Sequence, residues 1–131
     1  MKKKVLLIDD DDELAELLSE YLNRFDFQLI VAGNGEEGLK LLRQEQPDCV
    51  LLDIRIPKGE DGLTYLRKLR SYRHDDPEEQ TRIRRTPVIM LTGAGAAMQS
   101  LFELEGISGF VEKPFDLVNL QSKVAHILQI R

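Results

Sequence analysis

Five short apolar runs, separated by stretches with helical periodicity, constrain the fold of this chain more than any other feature. The runs share a β-rich, mostly apolar composition, and they span residues 5–8, 27–31, 49–52, 88–91 and 109–111. A strand-then-helix pattern repeated five times predicts an α/β fold with a parallel sheet. Crossovers between parallel strands are almost always right-handed, and ligands bind at the carboxyl edge where the strand order reverses.

The stretches between the runs carry apolar residues at helical spacing. The clearest stripe follows positions i, i+3, i+4, i+7 and i+8 and comprises Leu14, Leu17, Leu18, Tyr21 and Leu22. Other candidate stripes are Leu39 with Leu42, Leu63 with Leu66 and Leu69, Met98 with Leu101 and Phe102, and Leu117 with Leu120, Val124, Ile127 and Leu128. The length of 131 residues predicts one domain over 1–131.

Two segments depart from this regular pattern. In the second run Phe27, Leu29 and Val31 alternate with more polar positions such as Gln28, which is typical of an edge strand. Residues 73–85 are mostly charged and include a proline. They predict a solvated loop or a frayed helix extension, with a partner-specific surface as the alternative.

Polar residues follow the ends of four of the predicted strands. Asp9 and Asp10 follow the first run, Asp53 the third, Thr92 the fourth, and Lys113 closes the fifth segment. The carboxyl ends of parallel strands share one edge of a sheet, so these side chains are expected to meet there. The acids at 11–13 are expected only to cap and begin the first helix.

A cluster of carboxylates at one edge needs compensation. Two unit charges about 4 Å apart repel by roughly 4 kcal/mol at an effective dielectric near 20. Either a cation or protonation of one group resolves the conflict. Hard oxygen ligands select Mg²⁺, Ca²⁺ or Mn²⁺, and Mg²⁺ keeps several waters and recruits phosphate oxygens. With Lys113 and Thr92 nearby, the set predicts a site that holds a phosphoryl group beside a metal ion.

Composition excludes several classes of protein. The longest apolar runs are far shorter than the roughly 20 residues of a transmembrane helix, and no secretory signal follows the basic start of the chain. The single cysteine, Cys49, cannot form an internal disulfide, which favours a reducing, cytoplasmic setting. A net charge of −5 argues against direct nucleic-acid binding.

At these residues the sequence resembles the receiver domain of two-component response regulators, over essentially the whole chain. The resemblance rests on four motifs in order: VLLIDDD at 5–11, PDCVLLD at 47–53 with Pro57 and Gly62 beyond, PVIMLTG at 87–93 and FVEKPF at 110–115. It implies a flavodoxin-like (βα)5 three-layer sandwich with a doubly wound five-stranded sheet of order 2-1-3-4-5.

The resemblance also assigns roles. Asp53 is the expected phosphoacceptor, with Mg²⁺ (or Mn²⁺) held by Asp10, Asp53 and the backbone carbonyl of Arg55, and with Asp9 helping directly or through water. Lys113 and the metal would neutralise the transferring group. Thr92 would bond the new phosphoryl oxygen. Phe110, which stands where a tyrosine is frequent, would then turn inward and change the surface made by the predicted helix at 98–102, the fifth strand and the last helix.

The implied partners are a sensor histidine kinase or phosphotransfer protein and a downstream protein or output domain outside this chain. A monomer or weak homodimer is expected, with no membrane contact. The chain is expected to be no enzyme in the usual sense, although it would catalyse its own phosphorylation and dephosphorylation.

Three alternatives compete with this interpretation. GNGEEG at 33–38 fits a dinucleotide-binding fingerprint, although its glutamates would repel pyrophosphate and it follows the second strand, so a turn and helix start is favoured. A phosphohydrolase with Asp53 as nucleophile would want a second acid where Arg55 stands. A protein-interaction module without phosphorylation is the third.

Overall fold

The structure is a computed structural model that describes residues 3–53, 62–92, 106–112 and 116–129. Its sheet contains five strands, β1 Lys3–Ile8, β2 Phe27–Ala32, β3 Cys49–Asp53, β4 Val88–Thr92 and β5 Gly109–Glu112. The described helices are α1 Asp12–Asn23, α2 Gly35–Glu45, α3 Gly62–Arg70, α4 Pro77–Arg84 and α5 Leu117–Gln129. The candidate helix at 98–102 lies outside the described residues.

All neighbouring strands run parallel, in the order β2-β1-β3-β4-β5. This order confirms the expected topology, with β2 at one edge as its alternating pattern indicates. The chain moves outward from β1 to β2 and then crosses to β3 on the other side of β1. The reversal of strand order therefore lies between β1 and β3, which is where parallel sheets of this type open a crevice for ligands.

The sheet is covered on both faces, which confirms the three-layer sandwich. On one face α1 and α5 bury Leu18, Leu22, Leu120 and Val124 against the sheet. On the other face α2, α3 and α4 contribute the buried residues Leu42, Tyr65, Leu66, Leu69 and Ile83. Strands β1 and β3 lie between these layers, so their side chains are buried on both sides over residues 5–8 and 49–53.

The prediction of a solvated loop or frayed helix extension at residues 73–85 was wrong, because part of this stretch forms the separate helix α4. Asp76 caps its first turn by accepting a hydrogen bond from the Glu78 amide at 3.0 Å. Pro77 occupies the start of the helix, where its fixed φ and missing N–H carry no cost. Ile83 is fully buried and fixes the helix to the sheet.

A single guanidinium joins α3, α4 and the chain leading into β5. Arg70 donates to the carbonyl oxygens of Arg84, Thr86 and Gly106, each at 2.7 Å. Arg84 in turn donates from Nε to the carbonyl oxygen of Tyr72 at 2.7 Å. Partial burial lowers the pKa of Arg70 from its usual value, yet the group remains a cation at physiological pH. Helix α4 is thus fixed at its carboxyl end.

Within the described ranges no helix combines the length and apolarity that crossing a bilayer requires. Cys49, the single cysteine of the chain, is fully buried in β3 and forms no disulfide.

Candidate functional site

Asp9 lies at the carboxyl end of β1 and is 3% exposed. Its amide donates to the Ala32 carbonyl oxygen at 3.1 Å, so the pairing with β2 continues one residue beyond the strand. Its Oδ1 accepts a hydrogen bond from the Asp11 amide at 3.1 Å. The backbone of the turn into α1 therefore fixes a buried carboxylate at the reversal of strand order.

The acids that follow Asp9 take a different role. Asp11 is the N-cap of α1, and its Oδ1 accepts hydrogen bonds from the amides of Glu13 and Leu14, both at 3.1 Å. Asp12 and Glu13 occupy the first helical turn, where negative charge complements the helix dipole. This confirms the prediction that these residues begin and cap the helix. Asp10, which lies between the buried Asp9 and the capping residue Asp11, is exposed.

Asp53 is the last residue of β3 and is 8% exposed. The register pairs Ile8 with Leu52, so Asp9 and Asp53 follow paired residues on adjacent strands, which lie about 4.8 Å apart. Strand alternation also assigns both to the sheet face of Leu7 and Leu51, the face that α1 and α5 cover. Two of the three predicted acids thus meet at one edge of the sheet.

The donor set suits a hard divalent cation that keeps part of its water shell. Two buried carboxylates on neighbouring strand ends offer oxygen ligands of the kind that Mg²⁺ prefers. Across the described residues, no group of three or more Asp, Glu, His or Cys side chains is placed to hold a metal ion. The expected role of the exposed Asp10 as a further ligand therefore stays a prediction. Arg55, Lys113 and the side chain of Thr92 lie outside what the structure describes.

The segment at 33–38 forms a turn and a capped helix start. Asn34 is the N-cap of α2 and accepts a hydrogen bond from the Glu37 amide at 2.9 Å. Gly38 is buried against Ile8 of the sheet, so its missing side chain serves helix–sheet packing. Glu36 and Glu37 occupy the first turn and are exposed. This geometry supports the turn interpretation over a dinucleotide-binding site.

Phe110 lies on the outer strand β5, beside Met90 of β4 in the register, and it is half-buried against the core of the α2–α4 face. Lys123 of α5 donates from Nζ to the Phe110 carbonyl oxygen at 2.8 Å. The predicted switch residue is therefore bonded to α5 through its backbone. Sequence reasoning missed Lys123, because no local pattern connects a helix lysine to a carbonyl on a neighbouring strand.

Comparison with known proteins gives a consistent result. Residues 5–125 match the family model described as the response regulator receiver domain. Over 127 residues the chain is 39% identical to the transcriptional regulatory protein CpxR of Escherichia coli (strain K12), a match that covers 96% of this chain and 49% of CpxR. The chain thus spans about half the length of that relative.

Solved structures of related proteins share this fold. A putative response regulator from Chloroflexus aurantiacus J-10-fl superimposes with a TM-score of 0.80 at 31% identity, covering 98% of this chain and 99% of that one. The BeF3-activated N-terminal receiver domain of RstA from Klebsiella pneumoniae gives a TM-score of 0.78 at 28% identity, covering 97% and 99%.

Proposed function

The chain belongs to the response regulator receiver domain family of two-component signalling, and from that membership we propose that it is a phosphorylation-dependent switch whose phosphoacceptor is Asp53. The observation that supports this most strongly is the pair of buried carboxylates, Asp9 and Asp53, on adjacent parallel strand ends at the reversal of strand order. Buried acids gathered at a ligand-binding edge are typical of functional sites rather than of a core.

The proposed chemistry is one phosphoryl transfer. An oxygen of the Asp53 carboxylate attacks phosphorus and forms an acyl phosphate. The bond from phosphorus to the histidine nitrogen of a sensor kinase, or to the oxygen of a small acyl phosphate, breaks, and the donor keeps the electron pair. Asp53 is the last residue of a fully buried strand, so its backbone position is fixed before the donor arrives.

A divalent ion, bound by Asp9, Asp10, Asp53 and the Arg55 carbonyl, would supply positive charge to the transferring group. The amide of Asp11 orients the Asp9 carboxylate for this role by donating to its Oδ1. Lys113 would add a second positive charge, and the Thr92 hydroxyl would bond the new phosphoryl oxygen. The chain would catalyse its own phosphorylation and dephosphorylation without turning over an independent substrate.

The proposed output runs through β5. Displacement of Thr92 toward the phosphoryl group would make room for Phe110, which is already half-buried beside Met90. Its carbonyl bond to Lys123 would transmit the change to α5. The expected partners are a sensor histidine kinase or phosphotransfer protein and a downstream protein or output domain, in the cytoplasm. The name of CpxR as a transcriptional regulatory protein supports an output in transcription.

Intact-mass measurement tests the proposal. Incubation with Mg²⁺ and acetyl phosphate is expected to add one phosphoryl group, which is acid-stable and base-labile. Asp53→Asn should abolish the adduct, whereas Asp12→Asn, an exposed acid of α1, should leave it unchanged. An unmodified parent protein, or an adduct that survives Asp53→Asn, would contradict the proposal.

Two further measurements test the phosphohydrolase alternative and the proposed output. Repeated turnover of a phosphomonoester would favour an Asp-nucleophile phosphohydrolase. Lys113→Ala should keep most of the metal affinity, but modification of Asp53 should no longer change partner binding. An equal change of partner affinity on modification of Lys113→Ala and of the parent protein would count against the proposed output.

A further inference from the structure

A second candidate site lies on the opposite edge of the sheet from Asp53. Helix α2 begins after the carboxyl end of β2 and ends just before β3, while α4 ends just before β4. Their final turns therefore lie near the amino ends of the strands. Between them is a pocket of about 620 Å³ that is lined by Arg43 of α2, by Tyr72, Arg73, His74 and Asp75 of the link between α3 and α4, and by Gln80 and Arg84 of α4.

Positive charge dominates this pocket. Its lining includes three arginines, Arg43, Arg73 and Arg84, and one acidic residue, Asp75. Residues 62–85, which include the link and α4, carry seven Lys or Arg and four Asp or Glu, whereas the whole chain has a net charge of −5. The volume of this open pocket falls in the size range of roughly 300–1,000 Å³ that ligand sites occupy.

Hydrogen bonds fix several of the lining residues. Arg84 donates from Nε to the Tyr72 carbonyl oxygen at 2.7 Å, which orients its guanidinium. The His74 amide donates to Gln80 Oε1 at 3.0 Å, and the Asp76 amide donates to His74 Nδ1 at 3.0 Å. The hydrogen bond to Nδ1 holds the His74 ring against the start of α4. The pocket is thus partly organised before any ligand binds.

We propose that this pocket binds an acidic peptide segment of a partner protein. The planar guanidinium fork matches a carboxylate through two parallel hydrogen bonds, and three arginines on three different elements can take carboxylates that are spaced along a chain. The half-buried Tyr72 ring adds a surface for the apolar part of such a segment.

A compact phosphate group fits the same lining less well. Asp75 shares the pocket and repels concentrated negative charge. The start of α4 is also closed to an anion, because Asp76 already accepts the Glu78 amide and Glu78 and Glu79 occupy the first turn. A peptide can place its carboxylates at Arg43, Arg73 and Arg84 and avoid Asp75. The inference does not depend on phosphorylation of Asp53, which lies at the other edge of the sheet.

Fluorescence anisotropy with a labelled hexaglutamate peptide tests the proposal on the full chain. The double variant Arg43→Gln/Arg73→Gln removes two exposed charges and keeps the structural bond of Arg84. We expect its Kd for the peptide to rise at least tenfold. The charge-matched variant Lys3→Gln/Arg24→Gln, which changes two exposed residues outside the pocket, should change Kd less than twofold. Circular dichroism melts confirm that both variants fold.

Each outcome decides the proposal. Three results together support it. Hexaglutamate binding weakens with added NaCl, hexaglutamine does not bind, and only the pocket variant loses binding. Equal loss in both double variants would overturn it in favour of general charge attraction. The proposal would also be overturned, in favour of a small phosphate compound as ligand, if inorganic pyrophosphate displaced the labelled peptide at a concentration equal to or below that of unlabelled hexaglutamate.

Discussion

At Gly38 helix α2 lies directly against the sheet. A Cβ at this position would lie 2.6 Å from Ile8 Cδ1, 3.1 Å from Ile8 Cγ1 and 3.3 Å from Tyr65 Cε1. Ile8 and Tyr65 are fully buried, so neither can move freely to make room. This approach explains why a helix made of good helix formers carries a glycine in its second turn.

Gly38→Ala is therefore expected to destabilise the protein. Crowding of the core costs about 1–3 kcal/mol and outweighs the gain in helix propensity of roughly 1 kcal/mol, so we expect a net loss of about 1 kcal/mol. Urea unfolding measures it. Gly33→Ala is the matched control, since no neighbouring atom lies within 4 Å of the added Cβ. Unchanged stability of Gly38→Ala, or an equal loss in both variants, would contradict the packing argument.

The pair Glu79 and Arg82 on α4 gives a pH-dependent prediction. Arg82 donates to Glu79 Oε1 at 3.0 Å and to Oε2 at 2.9 Å, and these hydrogen bonds hold the pKa of Glu79 below its usual 4.5, partly opposed by burial. A lowered folded-state pKa contributes stability that is present above pH 4.5 and is lost as the pH falls through the lowered pKa.

Carbon-13 NMR titration of the Glu79 carboxyl is expected to show this lowered midpoint. Arg82→Gln should raise the pKa of Glu79 toward 4.5, because the charged donor is removed. Arg85→Gln changes an exposed arginine that donates no side-chain hydrogen bond to Glu79, and it serves as the control. An identical midpoint in Arg82→Gln and the parent protein would show that the ion pair does not form in solution.

Among the elements, α4 is held in position by the guanidinium of Arg70 as well as by its own residues. Arg70 contacts three carbonyl oxygens on three segments, namely the end of α4, the turn before β4 and the chain before β5. Lysine presents its donors from one nitrogen and cannot reproduce a planar fork. Arg70 therefore helps to fix α4 to the rest of the domain, together with the buried Ile83.

Arg70→Lys is expected to lower the free energy of unfolding by roughly 2 kcal/mol, since hydrogen bonds to charged groups contribute about 1.5–3 kcal/mol each and lysine retains part of them. Arg24→Lys, at an exposed arginine after α1, should change stability by less than about 0.5 kcal/mol. Hydrogen exchange should also speed up in α4 and near Gly106. Unaltered exchange in both places would contradict the anchoring role.

The strands and helices show most clearly what could and could not be predicted from the sequence. All five strands were predicted within two residues at each end. Strands β1, β3 and β4 are continuous apolar runs of the kind that marks buried parallel strands, and β2 alternates as an edge strand does. Helix α4 was missed because it buries only Ile83 and shows no stripe. The cap residue Asp76 followed by Pro77 and two glutamates was the available signal.

The same contrast holds for the site. Asp9 and Asp53 could be found because a strand end fixes which edge a residue occupies. The bonds of Arg70 to Gly106 and of Lys123 to Phe110 join residues 36 and 13 positions apart, and they depend on how helices pack on the finished sheet. No local pattern encodes such contacts.

For the molecule as a whole, the proposed metal site predicts a stability that depends on Mg²⁺. An ion that binds only the folded state stabilises it by RT ln(1 + [L]/Kd), about 2.7 kcal/mol at 100 times Kd. We expect MgCl₂ to raise Tm of the parent protein, and to raise it much less in Asp9→Asn. NaCl at equal ionic strength is the control. An equal increase with both salts, or in both proteins, would argue against a specific ion site.

The central position of β1 and β3 has a consequence for motion. Both strands have neighbours on each side and helices on each face, so local opening there should cost nearly the full free energy of unfolding. Strand β5 has one neighbour in the sheet, and its Phe110 is half-buried, so it should fluctuate at lower cost. Asp9 and Asp53 thus follow the two strands that should open least readily. We expect any structural adjustment to a chemical change at these acids to occur in β5 at the edge of the sheet.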